Sequence, residues 1–167
     1  MIKRLLLLAA LAAALRLTGL LPFQTSDVAQ LKPVEALVVS LRDGDVVLNG
    51  GDSQGRGETW DEALGDLRQG AEGNLFLGTA EQVVLCGDAV GLLKEIAESE
   101  DLRPAAVICR CPEGEPDPKQ AAAYLSAHNA GLTLRQVRAK LLRGEWIQLP
   151  VLAKTEGGLR LNGTEDR

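Results

Sequence analysis

Histidine occurs once in this chain, at His128, and aromatic residues make up only 3% of its 167 positions. One histidine and three cysteines without a C-x-x-C spacing exclude an ordinary four-ligand structural zinc site. Scarce aromatics deprive the surface of the stacking platforms that single-stranded nucleic acid rewards. Excess positive charge is missing too. Lys3, Arg4 and Arg16 fall in the first 26 residues, which hold no acid, so residues 27–167 carry 15 basic and 23 acidic groups, a net −8. An acidic domain is repelled by a phosphate backbone, which excludes nucleic acid as a partner. The chain also lacks G-x-x-x-x-G-K-[ST] and a G-x-G-x-x-G followed by an acidic residue on a second strand. What is present is 46% hydrophobic and 25% charged residues, enough for one domain with a core of Leu, Val, Ala and Ile.

The amino terminus reads as an address. A short basic leader, MIKR, precedes an unbroken Leu/Ala run from Leu5 to Leu15. That is the n-region and h-region pattern of a secretory signal, with an A-x-A-like cleavage site at Ala12-Ala13-Ala14. The alternative is an uncleaved anchor over Leu5–Leu21 with Arg16 snorkelling to the outer interface. In both cases Lys3 and Arg4 stay in the cytoplasm and the remainder lies outside. The expected division is a signal or anchor over 1–24, a polar linker over 25–33, one domain over 34–163 and a polar tail over 164–167.

Within the domain, apolar alternation over 34–41 and 45–49 around Asp43-Gly44 predicts an antiparallel hairpin, because Asp-Gly suits a type I′ turn. The glycine-rich run GGDSQGRGETWDEAL at 50–64 then opens into a helix, an arrangement that can cradle a phosphate. Glu58, Asp61 and Glu62 in the first turn would repel one, and Thr59 with Glu62 has capping-box spacing. The run therefore reads as a turn feeding a capped helix that Gly73 ends. QVVLCG is the next strand, with LFL a short strand or a buried approach to it. Asp88 caps a second helix through Ser99, and AAVICRC is a strand apolar enough to be central. Asp117, Pro118 and Gln120 start a helix over KQAAAYLSAH, and Thr133 with Gln136 starts another that Gly144 stops. WIQLPVLA and LRLN close the domain as two strands. Strands alternating with helices predict an α/β fold, a mixed sheet with helices packed on it.

No catalytic, cofactor-binding or metal-binding residues stand out. His128 lies at a helix end, where an imidazolium suits the dipole. Glu98, Glu100 and Asp101 read as a solvated helix end, and PEGEPDP lacks the pattern of a calcium loop. Asn162-Gly163-Thr164 is a formal sequon that reads as accidental. Cys109 and Cys111, two apart on a strand, face the same way, and Cys86–Cys109 is a possible bridge if their strands pair. The reading that wins is three small buried thiols. The rival is a thiol enzyme using Cys86 or Cys109, which requires exposure and an electropositive setting. The best candidate surface is the basic stripe Arg135, Arg138, Lys140 and Arg143, suited to a membrane surface or an acidic partner.

GETWDEALGDL followed by EQVVLCGDAVGLLKEIAESEDLRPAAVICR resembles the first domain of the Ger(x)C spore-germination proteins, membrane-attached C subunits of germinant receptors. Gly57, Thr59, Glu62 and Ala63 stand at that family's G-x-T and Glu-Ala positions, and VVLCG at 83–87 matches its apolar strand closing on glycine. Leu92 to Cys109 matches its helix, charged turn and second strand, and LPVLAKTEGGLRLNG looks like its exit segment. The family carries a lipobox cysteine and further carboxyl-terminal domains. Leu15 to Phe23 holds no cysteine, and the chain stops at Arg167. The resemblance therefore implies a stand-alone domain anchored by its own helix, with other membrane-bound germination subunits as partners. The expectation is a non-enzymatic extracytoplasmic domain acting through protein contacts, with a small exported enzyme or a ligand-sensing module with a pocket at the strand ends as the alternative.

Overall fold

A computed structural model describes residues 31–128, 130–155 and 157–162. The signal or anchor segment, the sequon's Gly163-Thr164 and the polar tail lie outside them. No helix among the described residues is long and apolar enough to cross a membrane.

The chain runs β1 (Leu31–Pro33), β2 (Ala36–Arg42), β3 (Asp45–Gly50), β4 (Ser53–Gly57), α1 (Trp60–Gly70), β5 (Asn74–Phe76), β6 (Gln82–Cys86), α2 (Leu93–Glu98), β7 (Val107–Cys111), α3 (Pro118–Ala127), α4 (Leu134–Leu142), β8 (Val151–Thr155) and β9 (Gly158–Asn162). Seven strands form one mixed sheet in the order β4-β3-β2-β6-β7-β8-β9. The middle strands β2, β6, β7 and β8 are parallel, and antiparallel hairpins finish both edges. The expected α/β architecture is correct. β1 pairs only with β5, in parallel, so the segment read as a linker enters a small strand pair at its end.

Alternation decides which face each side chain serves. Leu37, Val39, Val46, Leu48, Val83, Leu85 and Ile108 pack with Trp60, Leu64 and Leu67 of α1, Ile96 of α2 and Val137 of α4. Their in-between neighbours Val38, Val84, Cys86, Cys109 and Cys111 pack with Ala121 and Leu125 of α3. Three helices thus cover one face and a single alanine-rich helix covers the other.

The first hairpin forms as the sequence predicts, with Asp43 at φ 55° and Gly44 at φ 92°. The next segment differs from expectation. Ser53–Gly57 is a strand rather than a loop, paired to β3 through a turn at Gly51 (φ 63°). It has no β-branched or aromatic residue to announce it. Its glycines serve packing: a Cβ at Gly55 would lie 2.5 Å from Leu67 Cβ, and one at Gly57 would lie 2.5 Å from Glu62 Cβ. The strand lets α1 ride at backbone distance, which only glycine permits.

Four further elements depart from the sequence reading. Thr59 caps α1, accepting from the Glu62 amide at 3.3 Å, but the Glu62 carboxylate accepts from the Glu58 amide at 3.0 Å rather than from Thr59. Gly73 sits beyond the helix end, in the turn into β5. Asp88 is not a cap: residues 87–92 wind as a 3-10 turn and α2 is only Leu93–Glu98. Gly87 at φ 53° starts that turn, and Gly91 weakens helix propensity within it. The strand expected over WIQLPVLA begins only at Val151. Leu132 and Thr133 already occupy the open edge of β7 at Val107 and Ile108, and Pro150 has no amide to donate.

Candidate functional site

The glycine-rich run is the first place to look for an anion site, and its amides are taken. The Arg56 amide donates to Asp66 Oδ2 at 2.9 Å, the Glu58 amide to Glu62 Oε2 and the Glu62 amide to Thr59 Oγ1. Carboxylates of α1 occupy the positions a phosphate would need. His128 caps α3: its Nδ1 lies 2.9 Å from the Tyr124 carbonyl oxygen, and its ring stacks on Tyr124 at 4.2 Å. The Tyr124 hydroxyl accepts from the Leu161 amide at 2.8 Å, tying that helix to β9. Glu98, Glu100 and Asp101 line an open groove of about 510 Å³ with Glu95 and Asp61, and Asp101 pairs with Arg68. Among the described residues no cluster of three His, Cys, Asp or Glu is arranged to hold a metal ion.

Two regions concentrate chemistry instead. The first lies around α4. Thr133 and Gln136 form the reciprocal capping box the sequence predicts, and Gly144 (φ 65°) ends the helix with Schellman bonds from its own amide to Leu141 and from Glu145 to Lys140. The basic stripe is not four equivalent cations. Arg138 donates to the Ala97 carbonyl at 2.7 Å and to that of Ser99, satisfying the carboxyl end of α2. Arg143 pairs with Glu145, whose carboxyl it holds below the usual range. Arg135 and Lys140 make no ion pair among the described residues and border an open cleft of about 440 Å³ with Leu132, Gln136 and Ala139. Leu142, in the last turn of the same helix, is 82% exposed, and Trp146, just past its end, is 88% exposed. Reading the stripe as charges alone missed this apolar pair. The strand expected over WIQLPVLA would half-bury Trp146, and it does not form there.

The second region lies at the carboxyl ends of the central strands, where open α/β sheets place their ligands. In the parallel register Cys86 faces Cys111, while Cys109 faces Val84. The Cys86–Cys109 pairing considered from sequence is therefore out of register, and the partner is Cys111. All three thiols are free and buried, as expected. Its neighbour Cys111 pushes the Cys86 thiol up, Cys86 in turn draws Cys111 down, and burial pushes Cys109 up to about 12. Cys111 also donates to the Glu113 carbonyl at 3.4 Å and feels the charge of Lys154. The loop 112–117 runs on directly from Cys111. Arg42 at the end of β2 grips Glu115 with two hydrogen bonds and holds its carboxyl below the usual range, and Lys119 pairs with Asp52 at 2.6 Å.

No family model matches the chain, and neither a curated protein nor a solved structure does.

Proposed function

We propose that this is a membrane-attached extracytoplasmic domain that works through protein contacts rather than catalysis, in the manner the Ger(x)C resemblance implies. The apolar run Leu5–Leu15 behind MIKR supports the address. The observation that carries the contact role is the surface at the end of α4: Leu142 in its last turn and Trp146 just beyond it stand in solvent, on the same segment that carries Arg135 and Lys140. An exposed Trp close in sequence to unpaired cations has the composition of an interface hot spot, and a lone exposed Trp on a domain with so few aromatics is an anomaly unless something covers it. The complementary partner offers an apolar pocket rimmed by carboxylates, another membrane-bound subunit being the expected class.

The test is site-specific photocrosslinking from position 146 in native membranes. A discrete protein adduct that disappears with Leu142→Ala and with Arg135→Glu/Lys140→Glu is the expected result. Adducts confined to lipid, or a protein adduct indifferent to those substitutions, would overturn the reading.

A further inference from the structure

We propose that Cys86 and Cys111 close into a reversible disulfide across the carboxyl ends of β6 and β7, formed by exchange with a low-molecular-weight disulfide when the loop that follows Cys111 lifts. Neighbouring strands lie about 4.8 Å apart, within the span a disulfide bridges, and directly facing residues of a parallel pair project to the same side. The register makes Cys86 and Cys111 such a pair, and both side chains belong to the same buried cluster on one face of the sheet. Cys109 is excluded as a partner of Cys86, because the two-residue offset adds a strand rise and sets them roughly 8 Å apart.

A way in exists. Pro112 and Glu113, which follow Cys111 directly, line a cleft of about 230 Å³ with Val151, Ala153 and Lys154. Lys154 supplies a positive charge beside the thiol that must ionise. The loop is held to the end of β2 by the Arg42–Glu115 pair, an exposed contact that opens at small cost. Cys111, having lost its proton to water, attacks one sulfur of the small disulfide. A new S–S bond forms, the small disulfide's own bond breaks, and one small thiolate leaves. Cys86 gives its proton to that thiolate, attacks the Cys111 sulfur and expels the second small thiolate, which takes a proton from water. The protein loses two protons and two electrons, and the small disulfide, taking up both, becomes two thiols. Once Cys111 is oxidised it has no S–H to donate to the Glu113 carbonyl, so the same step loosens the loop.

Trypsin places the three cysteines in three different peptides, 69–94, 95–110 and 111–119, so the linkage can be read directly. The full-length protein is equilibrated natively with glutathione disulfide and analysed by mass spectrometry. The expected product is lighter by two hydrogens, joins 69–94 to 111–119 and reverts with dithiothreitol. Cys109→Ser preserves it, whereas Cys86→Ser and Cys111→Ser abolish it. If either of the latter does not fold, the other gives the same readout. Glu115→Gln speeds closure about twofold to fivefold by releasing the loop. Three thiols still free at equilibrium, a stable glutathione adduct on the native chain, or a link through Cys109 would overturn the proposal. An unchanged rate in Glu115→Gln would overturn the gate.

Discussion

Replacing Gly55 with alanine tests how α1 is seated. The Gly55 backbone sits at an ordinary φ, so the new methyl meets no conformational penalty, only its neighbours. Those neighbours are the Ala63 carbonyl, the Leu67 amide and Leu67 Cβ, the last at 2.5 Å, and all but one are backbone atoms that no rotamer change can move. Relief requires α1 to lift by about 1 Å, because the interior is packed to crystal density. A gap of that size forfeits a quarter to a half of each dispersion contact. Trp60, Leu64 and Leu67 are the large side chains α1 buries. With about 1.5–3 kcal/mol attached to each, the loss comes to about 2–4 kcal/mol, a large share of a domain's 5–15 kcal/mol. Gly65, on the same helix, has nothing within 4 Å of its would-be Cβ, and alanine there stabilises by about 0.5–1 kcal/mol. Urea unfolding of both variants reads the contrast as midpoint shifts of opposite sign. Two midpoints within error of each other would mean that the strand glycines do not seat the helix.

Removal of the reciprocal cap in Thr133→Ala costs about 1 kcal/mol by the same assay, and a neutral result would show that the Leu134 and Val137 contacts alone hold α4. Trp146→Ala and Leu142→Ala leave the unfolding midpoint within about 0.5 kcal/mol of the parent, since both side chains stand in solvent, while Leu142→Ala abolishes the adduct formed from position 146. A destabilised Trp146→Ala would instead make the tryptophan part of the core. Arg42 holds the Glu115 carboxyl below its ordinary range, so that ion pair's contribution is complete above about pH 4.3 and fades as pH falls through the lowered value. Stability measured against pH should lose this acid-sensitive component in Arg42→Gln, and identical profiles would contradict the pairing.

What the sequence reveals of this fold is what rests on local chemistry. Asp43-Gly44 demands positive φ, and Thr133 with Gln136 satisfies two amides within one turn. Both are decided by residues a few positions apart. β4 is decided elsewhere: its glycines have meaning only once α1 lies across them, so a strand without a strand's residues stays hidden until the tertiary contact is known. The first part of the strand expected over WIQLPVLA, residues 146–150, fails for the converse reason, since its local pattern is suitable but the hydrogen-bonding edge it needs is held by Leu132 and Thr133. The two candidate regions follow the same division. The basic stripe is visible by composition, yet which cations remain unpaired depends on Ala97, Ser99 and Glu145. The cysteines are visible individually, yet which two face each other depends on strand register, and one residue of slip would put the thiols on opposite faces. Register thus separates an inert trio of buried thiols from a closable pair, and β6 and β7 fix it through Val83 and Leu85 packed on one face and Val84 on the other. Substitution of Val84 by a polar residue should therefore disturb the Cys86–Cys111 linkage without touching either sulfur.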